Sequence, residues 1–306
     1  MTAPLLHHYP GSPFAEKARM MLGFKGLAWR SVTIPAVMPK PDLIALTGGY
    51  RRTPVLQVGA DIYCDTARIA TLLEALRPEP TLFPASAPLA PLFAQWADSM
   101  LFWTVIPYCM QPAGLAGIFE GQTREEVQAF AADRKPFSAG VPRKTVADAT
   151  VELQAHLAAL EAQLADGRDF LFGAVSIADF ALAHNVWFVQ RASALAHVLT
   201  PHSRLAAWYQ RLRAFGHGPH ETLDSAEALH IAATAGGHAP TEVVFGLGLA
   251  AGAAVTVAPI DYGRDPVEGK LVGLTEQEVV LERTDPRAGT VHVHFPRIGY
   301  QVKELG

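Results

Sequence analysis

Ser12 is the residue whose type and position in this chain most directly permit chemistry. Ser12 and Pro13 precede a run of helix-forming residues, 15–22, and serine followed by proline is typical of a helix N-terminus. The first amide N–H groups of a helix have no partner within it, and the helix dipole adds positive charge there. Such a position favours a thiolate, a carboxylate or a phosphate. A helix cap with no further role is the alternative interpretation of the same residues.

The elements around Ser12 predict a small α/β domain over residues 1–80. Apolar alternation and turn residues indicate the order β-α-β-(α)-β-β-α. The predicted strands cover residues 5–9, 29–34, 54–58 and 62–64, and the predicted helices cover 13–23, 42–46 and a segment that opens at Asp65. Residues 81–91 belong to a proline-rich stretch, and we expect them to form a linker.

Residues 92–225 are predicted to form an all-helical domain. Apolar residues recur at helical spacing in 92–106, 146–164, 177–192 and 205–215. Ser176 and Asp179 have the spacing of a capping box, which predicts the start of a buried helix. Residues 241–306 are predicted to form a small all-β domain, with strands at 255–260, 269–274, 278–283 and 291–295. A barrel and a sheet packed on the helices are both compatible with so few strands.

The composition excludes several classes of protein. The net charge is −4, and residues 261–306 have no excess of Lys and Arg, so no nucleic-acid partner is predicted. The uncharged segment 243–260 is rich in Gly and Ala and ends in strand-like alternation, which favours a turn and a strand over a membrane span. The first residues have neither a basic region nor a long apolar run, so we expect no export signal and a cytoplasmic protein.

The histidines and cysteines form no metal-binding pattern in the sequence. His292 and His294 share one face of a predicted strand, but no carboxylate or cysteine lies at metal spacing from them. We therefore predict no metal. Cys64 and Cys109 lie in apolar surroundings without a C-x-x-C pattern, which predicts buried, unreactive thiols rather than a disulfide or a zinc site.

Four motifs occur in a fixed order along this pattern of elements. They are YPGSPFAEKAR at 9–19, RRTPVL at 51–56, YCDTARI at 63–69 and SIAD at 176–179. Together they resemble the glutathione S-transferase superfamily over residues 1 to about 220. The resemblance implies a thioredoxin-like domain that binds glutathione, followed by an all-helical domain, in a homodimer. The β-rich C-terminal region lies outside this two-domain pattern.

The resemblance also implies a glutathione site built from the first three motifs. Ser12 stands at the position of the serine that donates a hydrogen bond to the glutathione thiolate, which lowers the pKa of the thiol. Tyr9 is the alternative donor. Thr53-Pro54 resembles the family's cis-proline pair, whose backbone binds the cysteinyl part. Asp65-Thr66 stands where the family commonly has Glu-Ser for the γ-glutamyl group, and Arg52 is a candidate ligand of a glutathione carboxylate.

The function implied by the resemblance is transfer of a small hydrophobic electrophile to glutathione, with no metal. Related isomerase, dehalogenase or peroxidase reactions use the same activated thiol. The electrophile pocket is expected between the two domains, and its candidate residues are Phe14, Trp103, Tyr108 and Met110. The alternative is a non-catalytic binding or scaffold protein that retains the fold. The shorter acid at Asp65 and the added β-rich region suggest this alternative.

Overall fold

The computed structural model describes residues 3–305. Strands and helices alternate in the N-terminal part in the predicted order, which confirms the thioredoxin-like fold class. These elements are β1 (Leu5–His8), α1 (Pro13–Phe24), β2 (Trp29–Thr33), α2 (Pro41–Thr47), β3 (Val55–Val58), β4 (Asp61–Cys64) and α3 (Thr66–Leu76). Ser12 is the N-cap of α1, and Asp65 is the N-cap of α3.

The middle of the chain is helical, as predicted. Its helices are α4 (Ala90–Trp96), α5 (Phe102–Cys109), α6 (Pro112–Ile118), α7 (Arg124–Phe137), α8 (Val146–Gln163), α9 (Ile177–Arg191), α10 (Ser203–Arg213) and α11 (Ser225–Ala233). A π-helical turn, Ala97–Leu101, joins α4 to α5, and a 3₁₀ segment, Ser193–Leu199, follows α9. The predicted capping box of Ser176 and Asp179 is present at the start of α9.

Helices α6, α7 and α11 were not predicted from the sequence. Helix α7 has no fully buried residue, and only Val127 and Phe130 pack in part against the larger core, so its apolar stripe is too short to show a helical period clearly. The capping box of Thr123 and Glu126 at its start was the available signal. Helix α6 contains Gly114 and Gly117, which weaken its helix propensity.

The C-terminal strands continue the N-terminal sheet. They are β6 (Ala254–Pro259), β7 (Val267–Leu274), β8 (Glu278–Asp285), β9 (Gly289–Pro296) and β10 (Tyr300–Glu304), and a short strand β5 (His220–Thr222) pairs with β2. The ten strands form one sheet in the order β10-β6-β7-β8-β9-β4-β3-β1-β2-β5. Strand β9 pairs in parallel with β4, so it covers an edge that would otherwise expose unpaired backbone groups. Thus the β-rich region is neither a barrel nor a separate sheet on the helices.

Two large apolar cores and one small cluster, which contains Leu5, Val32 and Ala228, hold the described part of the chain together. The larger one joins α1 and α3 to the helical region, and Leu6, Met20 and Phe180 belong to it. The second contains N-terminal residues such as Leu46 together with C-terminal residues such as Leu271 and Phe295. Because the C-terminal strands share a core with the thioredoxin-like part, they are packed as an integral part of the fold.

No helix in residues 3–305 has the length and apolar character needed to cross a membrane. Segment 243–260 contains turns and strand β6, as the alternation at its end predicted. Cys64 and Cys109 are both buried and free, so the predicted burial of the two thiols is confirmed. Burial raises the pKa of the Cys109 thiol to about 12.

Two buried histidines in β1 predict a loss of stability in acid. Burial lowers the pKa of His7 from 6.5 to about 4, and burial together with Arg19 lowers the pKa of His8 to about 3. The neutral rings therefore stabilise the fold fully above pH 6.5, and the stability is lost as the pH falls toward these lower values. We expect each histidine to contribute a slope of about 1.4 kcal/mol per pH unit in that window.

Urea unfolding at a series of pH values tests this expectation. The His7→Leu variant should show a shallower fall in the free energy of unfolding between pH 6.5 and 4 than the wild type. The His230→Leu variant is the control, because His230 is exposed and should leave the slope unchanged. An identical slope in the wild type and His7→Leu would contradict the assignment to His7.

Candidate active site

Ser12 lies in the loop between β1 and α1, where its side chain caps the helix. Its hydroxyl oxygen accepts a hydrogen bond from the Ala15 amide at 3.2 Å. The residue is 2% exposed, and it does not line the neighbouring pocket, whereas Tyr9, Gly11 and Pro13 do. Thus the predicted N-cap is confirmed, and the surface that a ligand meets at this helix start is formed by the residues on either side of Ser12.

A pocket of about 1100 Å³ lies between the thioredoxin-like part and the helices. Tyr9, Phe14 and Thr53 line it from one side, and Trp103 and Met110 line it from α5 and the residue that follows. These five were all predicted as site residues, and the structure brings them together. The lining is largely apolar, as expected for a small-molecule site.

Tyr108 is not part of this pocket, contrary to its predicted place there. It is 4% exposed and belongs to the larger apolar core. Its hydroxyl donates a hydrogen bond to the carbonyl oxygen of Leu195 at 2.8 Å. Neighbouring positions on a helix point in different directions, so Trp103 and Tyr108 of the same helix cannot both be assigned to the pocket from spacing alone.

Tyr9 lies in the pocket wall with its phenol oriented by an arginine. The Arg134 guanidinium donates a hydrogen bond to the Tyr9 hydroxyl oxygen at 3.2 Å. An arginine has no acceptor, so the Tyr9 hydroxyl hydrogen remains available to donate elsewhere. Arg134 is one of several basic residues that line the pocket, and the others are Lys135, Arg143, Lys144 and Arg191.

Thr53 joins the pocket to the thioredoxin-like sheet. The Thr53-Pro54 peptide bond is cis, as the sequence motif predicted. Lys40 Nζ donates a hydrogen bond to Thr53 Oγ1 at 3.3 Å. Burial and the nearby Arg134 lower the pKa of Lys40 from 10.5 to about 8. A cationic side chain therefore lies directly behind Thr53 at neutral pH.

Asp65 and Thr66 are adjacent at the start of α3, but their side chains bind other parts of this chain. Asp65 Oδ2 accepts a hydrogen bond from the Tyr300 hydroxyl at 2.9 Å. Thr66 is buried, and its hydroxyl accepts a hydrogen bond from Lys17 Nζ at 3.2 Å. Burial raises the pKa of Tyr300 well above its usual value, so its phenol stays protonated and donates.

Arg52 is bound by the loop that follows β6. Its guanidinium donates hydrogen bonds to the Asp261 carboxylate and to the Tyr262 carbonyl oxygen. It also lies over the Tyr262 ring, 3.9 Å from the ring centroid, and 3.7 Å from Asp65 Oδ2. Asp261, Tyr262 and Tyr300 were not predicted as site residues, since they lie about 200 positions away in the sequence.

A buried ion pair joins α1 to the helices beside this site. Lys17 is 1% exposed, and its ammonium contacts the Asp98 carboxylate in the π-helical turn. His184 of α9 lies 2.9 Å from the other Asp98 oxygen. Burial tends to raise the pKa of Asp98, but Lys17 and His184 outweigh it and hold the pKa below its usual value. Thus Asp98 is ionised and fixes the two parts of the chain beside Thr66.

Comparison with known proteins agrees with this geometry. The family description "Glutathione S-transferase, N-terminal domain" matches residues 6–81, and "Glutathione S-transferase, C-terminal domain" matches 131–211. A GST-like protein from Pseudomonas syringae is 42% identical, with 100% of both chains covered and a TM-score of 0.84. The chain belongs to the glutathione S-transferase family.

Less similar solved structures share the fold over a shorter part of the chain. A glutathione S-transferase from Rhodospirillum rubrum is 20% identical, covers 69% of this chain and 88% of its own, and has a TM-score of 0.50. The β-etherase LigF from Sphingobium is 18% identical, covers 70% and 96%, and has a TM-score of 0.52. None of the curated proteins matches the sequence. The match to the Pseudomonas protein covers the whole of this chain, so it includes the C-terminal strands β6 to β10.

Proposed function

We propose that the protein is a glutathione transferase that joins the glutathione sulfur to a small hydrophobic electrophile. The observation that carries the proposal is the pocket of about 1100 Å³, which brings the loop before α1 and Thr53 together with an apolar wall from α5. The sulfur would lie at the α1 N-terminus, where amide groups and the helix dipole favour a thiolate. The electrophile would lie against Phe14, Trp103 and Met110.

In the proposed reaction, the glutathione thiol first loses its proton to solvent. The thiolate then attacks an electrophilic carbon, the new S–C bond forms, and a leaving group departs with its bonding electron pair. Holding both reactants in one pocket supplies much of the acceleration. Trp103 Nε1–H is buried and has no hydrogen-bond partner within residues 3–305, so it is available to bind a polar oxygen of the electrophile.

Tyr9 is the donor to the thiolate that the pocket geometry favours, and Ser12 is the alternative. Tyr9 lines the pocket and its hydroxyl hydrogen is available, whereas Ser12 is buried behind the lining. Hydrogen bonds to a charged group contribute about 1.5–3 kcal/mol. Removing the donor should therefore lower kcat/KM by roughly 10- to 100-fold, because 1.4 kcal/mol is a factor of ten.

The matched variants Tyr9→Phe and Ser12→Ala separate the two donors. With a panel of electrophiles, we expect Tyr9→Phe to lose turnover and to raise the pKa of the bound thiol. We expect Ser12→Ala to lose about 1 kcal/mol of stability as an N-cap, with turnover nearly unchanged. The reverse pattern would assign the thiolate to Ser12, and unchanged turnover in both variants would exclude both residues as the donor. Absence of turnover in the wild type with every electrophile would contradict the transferase proposal.

A non-catalytic binding protein is the second candidate, and the state of Arg52 and Asp65 favours it. Arg52 donates to Asp261 and to the Tyr262 carbonyl oxygen, and Asp65 accepts from Tyr300. Glutathione would have to displace these contacts to bind either side chain. Calorimetric titration with glutathione, together with a turnover assay, discriminates the candidates. Binding with turnover of an electrophile supports the transferase. Absence of turnover, with or without binding at millimolar glutathione, supports the second candidate.

The proposed enzyme would be a cytoplasmic homodimer that uses glutathione as co-substrate and acts in detoxification. The dimer agrees with the family resemblance, and two-fold symmetric dimers are the commonest oligomers of soluble proteins. Light scattering of the full chain tests it: a mass near twice 32.9 kDa supports the dimer, and a mass near 32.9 kDa rejects it.

A further inference from the structure

Three side chains that are far apart in the sequence meet where β4 and β9 pair. Asp61 of β4 and His292 of β9 are direct partners in the parallel register. His238, from the segment between α11 and β6, stacks on His292 with 3.7 Å between ring centroids and 12° between ring planes. Asp61 Oδ1 lies 3.9 Å from His238 Nδ1 and 4.0 Å from His292 Nδ1. The two imidazoles therefore share one carboxylate oxygen.

The two histidine nitrogens that face Asp61 are unsatisfied. His238 Nδ1 and His292 Nδ1 are buried and have no hydrogen-bond partner within the described part of the chain. His292 as a whole is 8% exposed. A buried polar atom without a partner costs about 1–3 kcal/mol, and two such atoms that face the same oxygen indicate a missing shared partner. None of these three residues lines the active-site pocket.

The donor set and its spacing suit a divalent transition metal. The three ligand atoms all lie within 4.8 Å of one another. Zinc binds histidine nitrogen and carboxylate oxygen at about 2.0–2.2 Å, so tetrahedral ligands are roughly 3.3–3.5 Å apart. The stacked rings direct their in-plane Nδ1 lone pairs nearly parallel to each other. Zinc binding therefore requires the His238 ring to rotate out of the stack, until both Nδ1 atoms and Asp61 Oδ1, now 3.9 and 4.0 Å apart, converge on one point. Imidazole ligands favour zinc over the oxygen-preferring Mg²⁺ and Ca²⁺.

The surrounding residues resemble the outer partners of metal ligands. His292 Nε2 lies 3.7 Å from the Glu282 carboxylate, which is the type of group that orients a ligating histidine. His294 Nε2 lies 2.9 Å from Asp61 Oδ1, and its Nδ1 lies 3.1 Å from Glu278. Both nitrogens of His294 are therefore occupied, which leaves His238 and His292 as the nitrogen ligands.

We propose that Asp61, His238 and His292 bind one Zn²⁺ ion, with a water molecule in the fourth position. The His238 side chain is 23% exposed, so this position opens toward solvent. Asp61 Oδ2 accepts a hydrogen bond from the Ala239 amide next to His238. Zinc would thus fasten the segment before β6 and strand β9 to the N-terminal sheet. No metal was predicted from the sequence, because Asp61 lies more than 200 positions from His292 and only the β4–β9 pairing brings them together.

Zinc titration of the untagged, chelator-treated full chain tests the proposal. Calorimetry should show one zinc ion per chain with a dissociation constant in the micromolar range or below, and the Tm should rise with zinc concentration because the ion binds the native state. Cobalt substitution should give the visible absorption of a tetrahedral nitrogen and oxygen site. Absence of stoichiometric binding by the wild-type chain would overturn the proposal.

The His238→Ala variant locates the site without disturbing the sheet, since His238 lies outside the strands. We expect its zinc affinity to fall by at least about 100-fold, since even outer partners contribute 10- to 100-fold. His230→Ala is the matched control, because His230 is a nearby exposed histidine on α11, and it should bind zinc like the wild type. Equal affinity in all three proteins would place the ion elsewhere and overturn the assignment.

Discussion

Replacement of Asp179 by alanine should lower the free energy of unfolding by at least about 3 kcal/mol, because each buried donor left unpaired costs about 1–3 kcal/mol. The Asp179 carboxylate accepts hydrogen bonds from the amides of Leu171 and Ser176, at 3.0 and 2.9 Å. It also accepts one from Trp208 Nε1 at 2.8 Å. All four residues are essentially inaccessible to solvent, so water cannot replace the lost acceptor.

Urea unfolding measures this loss as a lower midpoint with an unchanged m-value. Asp179→Asn should lose less than Asp179→Ala, since one amide oxygen still accepts while the NH₂ group faces a donor. Asp169→Ala is the control, because the Asp169 side chain is 70% exposed, and its effect should stay within about 0.5 kcal/mol. If Asp179→Ala lowers the free energy of unfolding by less than 1 kcal/mol, the hydrogen bonds to Asp179 do not stabilise the fold as proposed.

The Asp179 network also explains which parts of this fold could be predicted from the sequence. The capping box at Ser176 and the cap at Ser12 use residues three positions apart or fewer, and such local hydrogen bonds depend little on the rest of the chain. The strands of the thioredoxin-like part were predicted for the same reason, since alternation is a local property. Helix α7 was missed because its apolar face is short and only partly buried.

The pairing of β4 with β9 could not be predicted from the sequence. Apolar alternation marks a segment as a strand, but it does not specify which edge of which sheet the strand joins. The same pairing explains what was missing from the predicted site. It brings the C-terminal part of the chain toward α3, so that Tyr300 reaches Asp65. Phe14 was predicted because it belongs to the 9–19 motif. Trp103 and Met110 were predicted because the electrophile pocket was expected between the two domains, along the first long helix, and all three residues line the pocket.

The Tyr300→Phe variant should bind glutathione about ten times more tightly than the wild type, because it frees the Asp65 carboxylate, which the family resemblance implies for the γ-glutamyl group. The Tyr300 hydroxyl donates to Asp65 Oδ2 at 2.9 Å and shares a hydrogen bond of 2.8 Å with Tyr50. Phenylalanine retains the ring beside Phe295 and Arg52. The variant therefore releases the carboxylate and leaves the packing in place.

Calorimetric titration of the full chain with glutathione gives the affinity, and KM for glutathione gives a second readout. Tyr50→Phe is the matched control, since it removes a neighbouring hydroxyl and leaves the Tyr300–Asp65 hydrogen bond intact. Its affinity should equal that of the wild type. If Tyr300→Phe and the wild type bind glutathione equally, Asp65 does not receive the ammonium. If neither protein binds glutathione, the transferase proposal itself is wrong, because removal of the Tyr300 hydroxyl from Asp65 has then not restored binding.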